Sequence, residues 1–383
     1  MALHFTDDEF QRRRALLTDA MKERNLDAML LFAQESMYWL TGFDTFGFVF
    51  FQCLVVTKDG STSLITRSAD LRQAKHTSNI KDVLVWTDRA GADPTLPLKD
   101  HLSSLDLVGA RLGVEYDTHG LTARNGQRLD ERLRSFAKLE DASDIIPRLR
   151  AVKSAEEIVY VRQAAKLADD ALRAGLAETK AGADEGHILA AMQGAIFAGG
   201  GDYPGNEFII SSGEDALLCR YKAGRRNLDA NDQLTLEWAG TYRHYHVAMM
   251  ETVVVGTPRP QHEAMFEAVE AALEAVKAVM RPGHTFGNVF DAHANTLGDH
   301  GMSAHRLNAC GYSLGAAFTP SWMEWPMFYN GNPAPIEPDM VLFAHMILMD
   351  SETSTAMCLG RTYLTTTGEP EPLSAIAPKF LTR

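Results

Sequence analysis

The sequence predicts an α/β protein of two domains, and three observations lead to this fold class. Its 383 residues are more than one domain of about 150 residues needs. Helical and strand-like patterns alternate over roughly the first 145 residues, which is typical of a sheet covered by helices. The rest of the chain repeats one plan of two helices followed by strands. We place the boundary after Pro147, which predicts domains over residues 1–147 and 148–383.

The first domain is expected to begin with an amphipathic helix over residues 7–24. Apolar runs bounded by turn residues then predict strands over residues 28–33, 46–57, 63–66, 83–86 and 111–115. The longest apolar run contains Gly47 and Gln52 and is shorter than the roughly 20 residues of a membrane-spanning helix. It therefore predicts a buried strand.

The second domain opens with a clear helix start. Ser154 and Glu157 have the spacing of a capping box, in which each side chain accepts a hydrogen bond from a free N–H of the first turn. The first copy of the repeated plan is predicted as helices 154–179 and 184–198 with strands 207–211, 233–238 and 245–255. The second copy is predicted as helices 261–280 and 286–297 with strands 307–314, 340–349 and 356–366.

Composition excludes several classes of protein. A chain that is 45% hydrophobic and 23% charged is neither disordered nor fibrous. The net charge of -13 repels nucleic acid and anionic membranes, so we expect a small-molecule or protein partner, with no nucleic-acid partner and no membrane partner. The four cysteines lack CxxC spacing, which favours reduced thiols. Because the first ten residues include no apolar signal segment, we expect a cytoplasmic protein.

Candidate catalytic residues lie in residues 234–256, a pattern of two strands joined near Gly240. Alternation along the second strand places His244 and His246 on one face. Glu237 lies between apolar neighbours on the first strand, and burial there would raise the pKa of its carboxyl and suit it to acid–base catalysis. A half-exposed hairpin with scattered polar residues is the alternative interpretation.

Other polar residues interrupt apolar strands. His345 is expected to be buried, as a catalyst or as a hydrogen-bonded core residue, and Tyr312 places a hydroxyl on another strand. Arg220, followed by Tyr221, and Arg361 are cations in apolar surroundings, where each needs a carboxylate partner on the substrate or on the protein. Because no HExxH, CxxC pair or DxD cluster is present, the sequence predicts no metal site, and it indicates no cofactor.

Two sequence motifs, RAVKSAEE at 150–157 and ETVVVG at 251–256, flank the first half of the second domain. They resemble motifs of the creatinase, prolidase and methionine aminopeptidase superfamily, whose catalytic domain is known as the pita-bread fold. The first is similar to the family's entry into that domain, and the second to the end of its hairpin. GYSLG at 311–315 stands where the peptidases have GHGIG, and EPDM at 337–340 where they have xPGM. YWLTGF at 38–43 resembles the N-terminal domain. The resemblance implies a creatinase-type N-terminal α/β domain followed by a pita-bread domain with duplicated ααβ halves.

The resemblance also implies that the two-metal site of the peptidases is not retained. Its five ligand positions fall on Glu237, Ala248, Tyr312, His345 and Leu359 in this sequence. Only the first of these is a carboxylate, and alanine and leucine have no atom that binds a metal ion. The catalytic set of creatinase is not kept either. The ectoine hydrolases are similar in style, with a GYSIG run and a histidine at the position of His345.

We therefore predict a metal-independent hydrolase of a C–N bond in a small polar nitrogenous compound that is ectoine-, creatine- or amidine-like. Glu237 would act as base or nucleophile, with proton transfer shared among His244, His246 and His345. The arginines would bind a substrate carboxylate, and an aromatic wall would surround an onium or amidine group. The candidate substrate-binding residues are Arg220, Tyr221, Tyr312, Glu324, Arg361, Tyr38, Phe46 and Trp322.

Three alternatives stay open. The first is an Xaa-Pro dipeptidase or aminopeptidase with a rearranged single-metal site built from Glu237, His246 and His345. The second is a non-catalytic binding protein on the same fold, although a dead cleft has no reason to bury cations. The third is a lyase of the kind that cleaves dimethylsulfoniopropionate, although those relatives keep an acidic metal-binding set. By the resemblance we also expect a homodimer.

Overall fold

The computed structural model describes residues 3–218, 220 and 226–383. The chain divides into two compact units, Met1–Arg150 and Ala151–Arg383, and each has its own apolar core. The predicted boundary after Pro147 lies three residues before this division. None of the described helices combines the length and the apolar character that a bilayer span requires.

The N-terminal unit is a six-stranded mixed sheet with helices on both faces. Its helices are α1 (Asp7–Glu23), α2 (Gln34–Thr41), α3 (Leu71–Thr77), α4 (Thr95–Ser104), α5 (Ala123–Leu133) and α6 (Ile145–Ala151). Its strands are β1 (Ala28–Leu31), β2 (Cys53–Thr57), β3 (Thr62–Arg67), β4 (Asp82–Trp86), β5 (Arg111–Val114) and β6 (Lys138–Asp141), in the order β4-β3-β2-β1-β5-β6. Strand β1 places Met29 in one core and Leu30 in the other, which explains its continuous apolar sequence.

The predicted strand over residues 46–57 is wrong in its first half, because β2 begins only at Cys53. Residues Gly47–Val49 form a 3-10 turn instead. The Thr45 hydroxyl donates to Asp70 Oδ1 and accepts a hydrogen bond from the backbone N–H of Gly47. Such side-chain bonds compete with strand pairing and hold this segment out of the sheet.

Helix α2 is not among the elements that the sequence predicts. Its start is stabilised from a distant part of the chain, because the buried carboxylate of Glu115 accepts hydrogen bonds from the backbone N–H groups of Phe32 and Ala33 and from the Ser36 hydroxyl. A carboxylate next to a helix N-terminus is favourable because the free N–H groups there carry partial positive charge. This contact spans about 80 residues of sequence, and local periodicity gives no sign of it.

The C-terminal unit has four helices and one large sheet within the described residues. The helices are α7 (Ala155–Glu178), α8 (Glu185–Ala198), α9 (Pro260–Val279) and α10 (Phe286–Asp299). The strands are β7 (Ile209–Ser212), β8 (Asp232–Tyr242), β9 (Tyr245–Val255), β10 (Ala309–Ser313), β11 (Glu324–Tyr329), β12 (Val341–Asp350), β13 (Thr355–Leu364), β14 (Glu371–Pro372) and β15 (Leu381–Thr382). The main path of the sheet is β11-β10-β12-β13-β9-β8-β7.

The duplicated plan predicted for this unit is confirmed. Helix α7, which begins with the predicted capping box of Ser154 and Glu157, packs on β8 and β9, and α9 packs on β12 and β13. The two halves join where β9 pairs with β13, through Leu359 opposite Glu251 and Gly360 opposite Met250. Each half thus buries one face of its strands under a helix pair and leaves the other face for function.

An ion pair lies on the helix-facing side of this junction. The guanidinium of Arg361 donates to Glu251 Oε1 and to the backbone carbonyls of Gly360 and Ile376. Both charged side chains are almost completely buried. Burial raises the pKa of the Glu251 carboxyl, although the charge of Arg361 opposes that shift. The carboxylate that Arg361 requires is therefore supplied by the protein.

Removing one partner of this pair should destabilise the fold strongly. Glu251→Ala leaves a buried guanidinium without its counter-charge and is expected to lower the free energy of unfolding by about 3–5 kcal/mol. Glu251→Met combined with Arg361→Met removes both charges and should cost less than Glu251→Ala alone. Urea denaturation at pH 7 measures both variants. A double variant that loses as much stability as Glu251→Ala, or more, would show that the two side chains do not act as a pair.

Candidate active site

One row of cross-strand neighbours connects two of the predicted catalytic residues. Glu237 of β8 pairs with Met250 of β9, Met250 with Gly360 of β13, and Gly360 with His345 of β12. Residues directly opposite each other in a sheet point to the same face. Glu237 and His345 therefore share one face, whereas Trp238 points to the other and donates its indole N–H to a carbonyl of α7.

Tyr312 of β10 lies between Glu237 and His345. Its hydroxyl donates a hydrogen bond to Glu237 Oε1 at 3.1 Å, and its ring centroid lies 5.6 Å from that of His345. The indole N–H of Trp322 donates to the same hydroxyl at 2.9 Å. Arg220 is exposed, and its positive charge acts on Glu237, Tyr312 and His345. The structure thus brings together five of the predicted site residues.

The half-buried carboxyl of Glu237 has a pKa raised to about 7. Desolvation is the main cause, and the hydrogen bond from Tyr312 and the charge of Arg220 oppose it. The apolar surroundings that raise this pKa are the ones the sequence indicated. A carboxyl that is about half ionised near neutral pH can both accept and release a proton, which is what general acid–base catalysis requires.

His345 is neutral at physiological pH. Burial is the main cause that lowers the pKa of its imidazole to about 3, and the nearby His293 and Arg220 contribute to this shift. Its Nδ1 atom is buried and makes no hydrogen bond within the described part of the chain. A neutral imidazole beside Tyr312 can offer a substrate one donor and one acceptor, but it does not carry a stored proton.

His246 holds two loops together. Its Nε2 accepts a hydrogen bond from the backbone N–H of Gly205 at 2.8 Å, and its Nδ1 faces the carbonyl of Gly315 at 3.4 Å. Burial lowers the pKa of this imidazole to about 4, so it is neutral and the proton lies on Nδ1. Because both nitrogens are engaged inside the protein, this geometry suits a structural role better than the predicted proton transfer.

His244 lies outside the strand on which it was predicted. It occupies the turn between β8 and β9 with a φ of 65°, and its ring stacks on Phe318 at 4.2 Å between centroids. The tight two-residue turn is the physical reason for the difference. The left-handed backbone that such a turn requires rotates His244 out of the alternation of β9.

A cavity of about 640 Å³ opens beside this group, and it is lined in part by Tyr203, Asn206, Phe208, Ile209 and Arg220. Ile209 is the cross-strand partner of Glu237, which connects the cavity to the row of paired residues. The loop YPGN at 203–206 was missing from the predicted site, although its turn composition and its place between a helix and a strand were visible in the sequence.

Two further predictions concern the edge of this region. Trp322, predicted as part of an aromatic wall around the substrate, is 1% exposed and serves as a hydrogen-bond donor to Tyr312. Glu324 lies close to Gly315, and its carboxylate is 3.8 Å from the buried ammonium of Lys153. The negative charge of Glu324 is thus partly balanced within the protein.

Four further residues are predicted to bind the substrate. Arg361 faces the helix side and pairs with Glu251, so the predicted contact with a substrate carboxylate has no support from its position. Tyr38, in the N-terminal unit, is buried and hydrogen-bonded to His4 Nδ1, while Phe46 of the same unit is 84% exposed. Tyr221 lies outside the described residues.

Two of the residues that the resemblance places at peptidase metal-ligand positions, Ala248 and Leu359, have side chains without a ligand atom. Ala248 lies on the same face as Glu237, but Leu359 points the other way and packs in the apolar core with Met346. The residue on the site face is Gly360, and a Cβ atom there would lie 2.7 Å from the ring of Phe343. Hydrocarbon groups thus fill the space next to Gly360 on the site face.

A single-metal arrangement has no better support. Within the described ranges, no group of three or more His, Cys, Asp or Glu side chains is placed to hold a metal ion. His246, one of the three ligands considered for such a site, already uses both nitrogens in bonds to Gly205 and Gly315. The hydrogen bond from the Gly205 N–H to Nε2 would have to break before Nε2 could bind a metal ion.

Comparison with protein families gives matches to both units. A model of the metallopeptidase family M24 matches residues 159–366, which is more than half of the chain. A model of the creatinase/prolidase N-terminal domain matches residues 13–152. The two matches follow each other in the order predicted from the sequence motifs.

Similar proteins cover nearly the whole chain at low identity. An uncharacterized hydrolase or peptidase of Sinorhizobium fredii is 28% identical over 84% of each chain. The ectoine hydrolase of Halomonas elongata is 26% identical over 89% of each chain, and the Xaa-Pro dipeptidase of Pyrococcus furiosus is 23% identical over 87% of this chain and 89% of its own. The solved prolidase of Thermococcus sibiricus has a TM-score of 0.88 at 17% identity, covering 99% of this chain and 100% of its own, which shows a shared fold.

The role of His246 can be tested by the dependence of stability on pH. Because its folded pKa is lowered from 6.5 to about 4, His246 stabilises the fold above pH 6.5, and this contribution falls by up to about 3 kcal/mol as the pH drops towards 4. His246→Gln keeps a donor and an acceptor but does not titrate. We expect it to lose less stability than the wild type between pH 7 and pH 4.5 in urea denaturation. Equal losses would contradict this role.

Proposed function

Because the chain belongs to the metallopeptidase family M24, a family of hydrolases, we propose that it hydrolyses a C–N bond in a small polar nitrogenous compound without a metal ion. The compound would be ectoine-, creatine- or amidine-like. One observation carries the proposal: Glu237, whose carboxyl has its pKa raised to about 7, lies on a site face where Ala248 and Gly360 offer no metal ligand. A carboxyl tuned in this way can perform the proton transfers that the peptidases assign to metal-bound water.

In the proposed reaction the ionised carboxylate of Glu237 removes a proton from a water molecule, and the water oxygen forms a bond to the carbon of the C–N group. The tetrahedral intermediate then breaks its bond to nitrogen. The protonated Glu237 returns the proton to that nitrogen, so the carboxylate is regenerated and one water is consumed. A single carboxyl with a pKa near 7 is suited to both transfers.

The other residues of the group would bind and orient the substrate. Arg220 lines the cavity and lies close enough to Glu237 for its charge to act on the carboxyl. A guanidinium matches a carboxylate in two parallel hydrogen bonds, so a substrate carboxylate would be bound there. Tyr312 orients Glu237 through its hydroxyl, and the neutral ring of His345 would contact the substrate. The homodimer and the cytoplasmic location remain predictions.

Xaa-Pro dipeptidase activity is the second candidate, favoured by the relative from Pyrococcus furiosus. It would require a metal ion held by Glu237, His246 and His345. The hydrogen bond between Gly205 and His246 would have to break first, and the positions of Ala248 and Gly360 would supply no further ligand. These requirements make the metal-independent reaction the better supported one.

Replacing Glu237 should abolish hydrolysis and leave the fold intact. Ectoine, creatine and glycyl-proline serve as probes, each assayed with and without EDTA. We expect one of the first two to be hydrolysed by the wild type, with kcat/KM rising with pH through about 7 as Glu237 ionises, and Glu237→Gln to lower kcat by at least roughly 10²-fold. Glu185→Gln is the matched control, because Glu185 is also buried and accepts a hydroxyl hydrogen bond, from Ser212.

Full activity of Glu237→Gln would remove this carboxyl from the mechanism. Cleavage of glycyl-proline alone, abolished by EDTA, would favour the peptidase instead. Equal losses in the Glu237 and Glu185 variants would indicate a general effect on the fold.

A further inference from the structure

The direction of the hydrogen bonds around Tyr312 is fixed by their donors. An indole N–H only donates, so the Tyr312 oxygen must accept the bond from Trp322 Nε1 at 2.9 Å. The single proton of the Tyr312 hydroxyl then points to Glu237 Oε1, which lies 3.1 Å away. The bonds therefore run in one direction, from Trp322 through Tyr312 to Glu237.

Trp322 is held by groups outside this chain of bonds. Its side chain is 1% exposed, and its backbone N–H donates to Asn206 Oδ1 at 3.2 Å. The adjacent Gly205 packs so closely on Ser321 that a Cβ atom there would lie 2.8 Å from the Ser321 carbonyl. The loop that forms part of the cavity wall therefore also holds the backbone that carries the indole ring.

We propose that Trp322 is a positioning residue, which directs the Tyr312 hydroxyl to Glu237 Oε1 and leaves Oε2 as the oxygen that takes up and releases the proton. Among the described residues, no hydrogen bond involves Oε2 of Glu237. When one oxygen of a carboxyl always accepts a hydrogen bond, the carboxyl can be protonated only on the other oxygen. The proton is therefore taken up and released at one defined atom. The importance of this for catalysis rests on the proposed function of Glu237.

Other charged groups near Glu237 stay in place when the indole is changed. Arg220 acts on the carboxyl by its charge, and the Tyr312 hydroxyl by its hydrogen bond. His345 lies on the far side of Tyr312 and is neutral. A change in the ionisation of Glu237 after substitution of Trp322 would therefore report on the hydrogen bond through Tyr312.

Trp322→Phe should raise the pKa of Glu237 by about 0.5–1 unit, because Tyr312 becomes a weaker and less directed donor to the carboxylate. The free energy of unfolding in urea is measured from pH 5 to 9 in the presence of EDTA. The wild type and each variant are compared with the same protein carrying Glu237→Gln. Because the pKa of Glu237 is higher in the folded state than in the unfolded state, its titration lowers the free energy of unfolding as the pH rises from the unfolded pKa to the folded pKa. Above the folded pKa this contribution is constant. The pH at which the difference becomes constant thus gives the folded pKa.

Two controls separate positioning from packing. Trp238→Phe removes an indole hydrogen bond of the same length from an equally buried tryptophan on the opposite face, and it should leave the pKa of Glu237 unchanged. Tyr312→Phe should raise the pKa by itself, and adding Trp322→Phe to it should cause no further shift. If Trp322→Phe does not fold, Asn206→Ala takes its place, because it removes the hydrogen bond that holds the backbone of Trp322. It is expected to shift the pKa of Glu237 in the same direction.

An unchanged pKa in Trp322→Phe, or in Asn206→Ala where the first variant does not fold, would overturn the proposal. So would a shift that persists undiminished in the Tyr312→Phe background, because it would not pass through Tyr312. The readout needs no substrate. A shift without any hydrolase activity would therefore leave the positioning role standing and count against the proposed function alone.

Discussion

The burial of one carboxyl on an apolar sheet face is the constraint on which the candidate site depends. Glu237 loses most of its hydration there and recovers one hydrogen bond, from Tyr312, and the attraction of Arg220. Neither contact outweighs the cost of desolvation, so the pKa remains near 7. A more complete set of partners would restore an ordinary carboxylate and remove the acid–base function.

The surroundings keep that balance by geometry. Phe343 and Met250 press against Gly360 and leave no room there for a further polar side chain. His246 joins Gly205 to Gly315 and so fixes the loop at the cavity wall. The helix-facing side of the same strands carries the ion pair of Arg361 and Glu251, so the strong charges of the junction are kept away from the reactive carboxyl.

The fold class and the duplicated plan could be predicted from the sequence, because the capping box and the repeated periodicity are local signals. The sequence also indicated the buried state of Glu237, whose neighbours on the strand are apolar. It could not place Leu359 and Arg361, because their face depends on the register between β12 and β13, and a shift of one residue turns every side chain to the other face. Nor could it show the hydrogen bonds of Tyr312 with Glu237 and of His246 with Gly205, because the bonded residues lie 75 and 41 positions apart in the sequence.

The most direct test of metal independence is elemental analysis of protein purified without chelator and without a nickel column, together with cleavage of an Xaa-Pro dipeptide with and without added Mn²⁺. The account predicts less than about a tenth of a metal ion per chain and no dipeptidase activity in either condition, because the positions of Ala248 and Gly360 supply no ligand. Near-stoichiometric metal with manganese-stimulated cleavage would contradict it.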